Sequence, residues 1–221
     1  MTNVYTLGLS YTNSSLAPIS PSRKTQFETL RQLRGASELE VRVGYFGICL
    51  RSHGVLWLCS YDADALLQQI GPEHDPLDLV GAASAFKDEV MFSGILIMAI
   101  VLTFIAMVLL ATFPSWHQER DERTGSDVDV KPYPARLVVA YTTSGSIVAA
   151  ILLLISSLWQ HIGSVGAAAM AKTANSGNVA TSIGTNAIIL VWGAFFAESI
   201  IAIGTLVMLL SIIVLDRLTG D

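Results

Sequence analysis

Three stretches of the sequence are apolar almost without interruption, and they separate regions suited to different solvents. From Val90 to Phe113 the run VMFSGILIMAIVLTFIAMVLLATF has no charge after Glu89, and at about 1.5 Å per residue it can cross a hydrocarbon core of roughly 30 Å. The second run, Leu137 to Trp159, is also uncharged and ends on a tryptophan suited to the interfacial aromatic belt. The third, Asn186 to Leu215, carries a single acid, Glu198. It is longer than a span requires and is expected to tilt or project. The pattern predicts spanning helices over 90–113, 137–160 and 186–215.

Ahead of the first run, residues 1–89 mix apolar and polar positions. Phe27, Leu30 and Leu33 among charges predict a short amphipathic helix within Thr25–Glu40, interrupted at Gly35 and packed on a small sheet. Strand signals follow over Leu39–Leu50 and Val55–Tyr61, with the turn formers Ser52, His53 and Gly54 between them, which reads as a hairpin. The two cysteines of the chain, Cys49 and Cys59, fall in this hairpin. Facing one another they would close a disulfide, given an oxidising location; the alternative is a pair of unrelated buried thiols. A metal site fits less well, because the spacing lacks a CxxC pair and His53 alone does not complete a tetrahedral shell. The expected fold is a membrane α-helical bundle carrying a small, disulfide-pinned, β-rich extracellular domain.

Composition agrees with a bilayer solvent: 52% of residues are hydrophobic, 14% are charged, and the mean hydropathy is +0.55. The net charge of −5 and the absence of a basic run exclude a nucleic-acid groove. Charge also orients the spans. The segment 114–136 holds Arg120, Arg123, Lys131 and Arg136, and its Pro132 and Pro134 stop any entering helix; 161–185 holds only Lys172. The excess of basic residues assigns 114–136 and the tail 216–221, with Arg217, to the cytosol, and 1–89 and 161–185 to the outside. The basic residues between Arg23 and Arg51 pull the other way, but long segments are poor witnesses to this rule. Met1–Ser15 shows no signal-peptide pattern, so translocation of the N-terminal region calls for a further span upstream.

Few residues offer chemistry. No nucleophile elbow, phosphate-cradling glycine loop or HExxH occurs, and His53, His74, His117 and His161 are scattered; neither an enzyme nor a cofactor or metal is expected. Glu198 within a span is costly. It is read either as part of a cation path or its regulation, or as a structural acid satisfied by Thr142, Thr143, Ser144 or Ser146. The pairs Gly145 with Ala149 and Gly193 with Ala197 would let helices approach closely, preferentially inside one bundle. Gly163–Gly177 reads as a helical continuation of the second span, with a flexible loop as its rival. Asn13-Ser14-Ser15 is a glycosylation sequon. Asp62, Asp64, Glu73, His74, Asp75 and Asp78 form an acidic stretch without EF-hand spacing, read as a solvated loop before a calcium-attracting one.

Gly44, Tyr45, Phe46, Gly47 and Cys49, followed by Trp57 and Cys59, resemble the extracellular signature of the claudin superfamily. Phe46 in place of the tryptophan of animal claudins makes the fungal branch the closer match. The exit Trp159-Gln160-His161 and the small-residue segment GAAAMAKTANSG are similar to the fungal mating-factor-induced calcium regulator and membrane fusion family. The resemblance covers roughly residues 5–215. It implies a four-span plasma-membrane protein whose first outer loop is a sheet pinned by a disulfide, with roles in calcium influx and fusion of mating cells. The family's first span has no counterpart here, which reads as a shortened gene model or a trimmed chain.

The leading functional expectation is therefore a claudin-like regulator of calcium influx and fusion. Its expected partners are the lipid bilayer together with calcium channel subunits or like chains on the same or an opposing cell. The alternative is a cortical scaffold or adhesion protein that moves no ion. A pore within one chain fits least, because three spans with one acid offer little to line it.

Overall fold

The computed structural model describes residues 3–11, 28–29, 32, 38–52, 56–71, 74–91, 93–114, 117–120, 127–130, 134–175 and 178–219. The chain divides into two compact units, Met1–Ser93 with Ser156–Val191, and Gly94–Ile155 with Trp192–Asp221.

The first unit is built on a five-stranded antiparallel sheet. Its strands are β1 (Leu7–Tyr11), β2 (Leu39–Gly44), β3 (Gly47–Ser52), β4 (Trp57–Ser60) and β7 (Val179–Ile183), in the order β4-β3-β2-β1-β7. Period-two patterning sets the faces. Leu39, Val41 and Val43 of β2 point to one side and are buried, while Glu40, Arg42 and Gly44 point to the other and are half-buried. Register carries the same division across the sheet, pairing Val41 with Leu9 and Leu50, and Val43 with Leu7 and Ile48. Two helices cover the apolar face: α1 (Ala63–Ile70) and α2 (Leu79–Glu89) contribute Leu66, Leu79, Val80, Ala83 and Phe86 to the core. Ala168, on the long helix α4 (Arg136–Ala174), joins the same cluster.

Both short helices begin on aspartates of the stretch expected to be a solvated acidic loop, and this corrects that expectation. Asp62 caps α1 by accepting from Asp64 N at 3.0 Å, and Asp78 caps α2 by accepting from Gly81 N at 3.2 Å. Asp75 is buried; its carboxylate accepts from Tyr11 Oη at 2.7 Å, Leu79 N at 2.9 Å and Val80 N at 2.8 Å. Asp75 thereby ties the start of α2 to β1.

In the second unit, α3 (Ser93–Ala111), the first part of α4 and α5 (Thr185–Thr219) supply the apolar helices. All three are long and apolar enough to cross a membrane by length and composition. The 39 residues of α4 extend about 58 Å, well past one hydrocarbon core. Helix therefore continues through most of Gly163–Gly177, as far as Ala174. Arg136 Nη1 pairs with Asp216 Oδ2 at 3.2 Å where α4 begins and α5 ends. A two-stranded ribbon of β5 (His117–Arg120) and β6 (Asp127–Val130) lies within the 114–136 segment read as a cytosolic loop.

Candidate functional site

The cysteine hairpin is formed by β3 and β4, whose register sets Cys49 directly opposite Cys59. The two are joined as a disulfide with a Cα separation of 4.0 Å, as the hairpin reading anticipated. It lies on the sheet face opposite the apolar core, beside Arg42.

That face is a stack of charge and aromatic rings. The Arg42 guanidinium lies 4.7 Å from the centroid of the Tyr5 ring and 4.5 Å from that of Trp57, and Arg51 lies 5.0 Å from Trp57 on the same row. Glu40 links the two cations: its Oε1 pairs with Arg42 Nη2 at 2.8 Å and its Oε2 with Arg51 Nη2 at 2.6 Å. Signature residue Trp57 thus lies within cation–π reach of two guanidinium groups. Two of the basic residues that weighed against an outward N-terminal region are balanced locally by one carboxylate.

The signature turn Gly44–Gly47 joins β2 to β3. A Cβ on Gly47 would meet Ser60 O at 2.8 Å, so β4 can pass only where no side chain stands. Tyr45 packs against the core from the turn, and its hydroxyl donates to Gln160 Oε1 at 2.8 Å. Burial pushes its phenol up to about 12. Gln160 Nε2 in turn donates to Ser156 Oγ at 3.3 Å, and neighbouring Trp159 Nε1 donates to the Val90 carbonyl at 2.9 Å. A Cβ on Gly163 would collide with the Val90 side chain, so α4 and the end of α2 are in intimate contact there. The Trp159-Gln160 pair singled out in the sequence is the seat on which the turn rests. Phe46, 65% exposed, and Tyr61, 71% exposed, stand at the mouth of a cavity of about 290 Å³ floored by the disulfide and walled by Tyr5, Arg42 and Tyr45.

β1 and β7, which the sequence reading missed, close the sheet beside this face. Gly184 follows β7, where a Cβ would run into the Tyr5 carbonyl. A signal for β7 existed in the alternation of Val179, Thr181 and Ile183, overshadowed by the small residues around it. Lys87 is another buried polar group that sequence reasoning passed over: its Nζ donates to the Tyr61 carbonyl at 2.6 Å and lies over the Tyr61 ring.

Glu198 belongs to the second unit and is 2% exposed. Thr142, Thr143 and Ser144 donate to carbonyls of their own helix, at Val138, Val139 and Tyr141. Buried Ser146 Oγ and Glu198 Oε1 each lack a hydrogen-bond partner. The expected satisfaction of Glu198 by the second span is therefore not made: Thr142, Thr143 and Ser144 find nearer acceptors on their own helix, and Ser146 does not reach the carboxyl.

Among the described residues no cluster of His, Cys, Asp and Glu is arranged to hold a metal ion. Asn13, His53, Glu73, Arg123, Lys131 and Pro132 lie outside the described residues, as does most of the Thr25–Glu40 helix, of which residues 28, 29 and 32 are helical.

A family model described as Ca2+ regulator and membrane fusion protein Fig1 matches residues 25–211. No curated protein matches the chain, and no solved structure does. The matched span includes the hairpin, the disulfide, the Trp159-Gln160 seat and all three long apolar helices up to Ser211. With those helices, the match makes this a membrane-associated protein.

Proposed function

The chain belongs to the Fig1 family of Ca2+ regulators and membrane fusion proteins, and from that membership we propose that it is a claudin-like, multi-pass plasma-membrane protein regulating calcium influx and membrane fusion during mating of fungal cells. In this reading α3, α4 and α5 span the bilayer, and the bias of basic residues supports a cytosolic 114–136 segment and C-terminus. The sheet unit then lies outside, where an oxidising milieu maintains Cys49–Cys59. The protein acts by binding and not by catalysis, through calcium channel subunits in its own membrane or like chains on the same or an opposing cell.

The observation that carries the proposal is the signature turn itself: Gly44–Gly47, Trp57 and the disulfide form one face, anchored through Tyr45 to Gln160. An outer module fixed directly to a membrane helix suits a regulator, because a partner bound outside bears on the helix without a flexible linker between them. Exposed Phe46, Leu56 and Tyr61 on that module also favour a second reading, a cortical scaffold or adhesion protein that moves no ion.

Calcium uptake in mating-stimulated cells deleted for the gene decides between them. The regulator reading expects uptake and fusion to fall and to return on rescue with the chain or with one extended upstream. Unchanged uptake with disturbed cortical organisation would establish the scaffold instead.

A further inference from the structure

Thr103 of α3, Leu153 of α4 and Glu198 of α5 line a cleft of about 240 Å³ within the second unit, with Ile100, Ala194 and Ala197 also on its wall. On α5 the positions 194, 197 and 198 stand at i, i+3 and i+4, one face of the helix. Leu153 and Glu198 are buried at the floor, whereas Ile100, Ala194 and Ala197 are exposed at the mouth. The cleft therefore opens on the surface that the spanning reading places in lipid. Ala197, expected from its pairing with Gly193 to pack inside the bundle, is part of that opening.

Two polar groups on the lining are uncommitted. Glu198 Oε1 is buried without a partner. No hydrogen bond engages the half-buried Thr103 hydroxyl among the described residues, although Thr142, Thr143 and Thr205 donate theirs to carbonyls one turn back. Thr103 lies about 15 Å along α3 from its start, and Glu198 about 20 Å along α5. At that depth acyl chains offer neither donor nor acceptor.

The pair of groups selects among ligands. Calcium takes about six to eight oxygens, and one carboxyl with one hydroxyl falls far short of that shell. An ammonium brings three donors and a charge that this apolar lining leaves largely unsolvated. A hydroxyl suits the cleft, because it donates once and accepts in return. In the surrounding acyl chains the same hydroxyl has no partner at all, so the two groups favour its entry.

We propose that the cleft binds a membrane lipid with a free hydroxyl, of the sterol or diacylglycerol kind. The lipid O–H donates to Glu198, its oxygen accepts from Thr103, and its apolar body extends through the mouth into the acyl chains. The inference rests on the spanning reading of α3, α4 and α5.

The test is photolabelling of the full-length chain in phosphatidylcholine vesicles containing photoreactive cholesterol or photoreactive diacylglycerol, with the labelled peptides mapped. Insertion is scored separately by resistance to alkaline extraction, and folding of the sheet unit by formation of Cys49–Cys59. Saturable labelling is expected around 100–103 and 194–201. The unlabelled parent lipid should displace it, and the methyl ether of that lipid, which has lost the donor, should do so about tenfold less well. Whether cholesterol or diacylglycerol displaces the label identifies the source of the hydroxyl. Glu198→Leu is expected to weaken labelling about tenfold and Thr103→Val about threefold, while Glu198→Gln, which keeps an acceptor, retains most of it. A methyl ether that competes with the wild type as well as its parent would overturn the proposal, independently of any variant, and leave an apolar crevice that recognises no hydroxyl. Inserted, oxidised chains that show no saturable labelling by either lipid would overturn it too. Extraction of the wild type by alkali would instead sink the spanning reading, and the lipid site with it.

Discussion

Tyr45 and Gln160, separated by 115 positions in the sequence, meet in a 2.8 Å hydrogen bond that fastens the β2–β3 turn to α4. The bond has little redundancy on the side of Gln160 Oε1, whose amide nitrogen is committed to Ser156. Tyr45→Phe keeps the ring packed and removes the donor. The sheet unit is expected to lose about 1–3 kcal/mol, read as a lower denaturation midpoint of the oxidised full-length chain in detergent.

The same residue gives the sheet unit an alkaline limit. Its pKa is raised from 10.0 to about 12 in the folded chain, so between those values the folded state holds a proton that the unfolded state has released. Stability from this group is complete below about pH 10 and falls as pH rises toward 12. An ultraviolet titration should show one tyrosinate forming late, and Tyr45→Phe should remove that step and flatten the decline in stability over the same window.

Reduction of Cys49–Cys59, or a Cys49→Ser, Cys59→Ser double variant, is expected to cost about 2–3 kcal/mol, the range for a short closed loop. β1, β2, β3 and β7 share the hydrophobic core, to which edge strand β4 contributes no side chain, so the loss should appear first at β4. Amide hydrogen exchange that accelerates at 57–60 before 39–44 would bear this out; uniform acceleration across the sheet would contradict it.

Asp75→Asn tests the buried acid. The carboxylate receives three donors, from Tyr11, Leu79 and Val80, and an amide has one oxygen with which to meet them. We expect a loss of about 2–3 kcal/mol with α2 fraying from its N-terminus. A thermal midpoint equal to that of the wild type would show that the three bonds are worth little.

Gly184→Ala places a methyl group against the Tyr5 carbonyl, and Gly47→Ala places one against Ser60 O. Both obstacles are backbone atoms, so neither neighbour can rotate away. Each variant is expected to lose about 1–3 kcal/mol, the first by loosening β7 from β1 and the second by loosening β4 from β3. Strand-resolved hydrogen exchange separates the two outcomes.

What was legible in the sequence followed from periodicity and continuity. Uncharged runs mark α3, α4 and α5, and alternation with a turn between marks the cysteine hairpin. Short elements stabilised from a distance were not legible. β1 has five residues and β7 five, and each becomes a strand because the other is beside it, a fact no local window contains. The acids at 62, 75 and 78 look alike in sequence, yet two are caps and one is a buried acceptor. Their roles depend on which backbone amides lie within reach. The signature turn was found as a pattern, whereas its anchoring by Gln160 and the guanidinium stack around Trp57 required the register of β2, β3 and β4.

The position of β1 in the sheet also orders events during synthesis. Its partners are β2 on one edge and β7 on the other, and β7 is translated only after the whole of α4. Until residue 183 has left the ribosome, one side of β1 keeps unpaired amides and carbonyls, a template for wrong pairing. The last strand thus works as a completion signal: the sheet unit can mature only in a chain whose second long helix has already been made, and a nascent chain arrested earlier displays an open edge for folding factors to recognise.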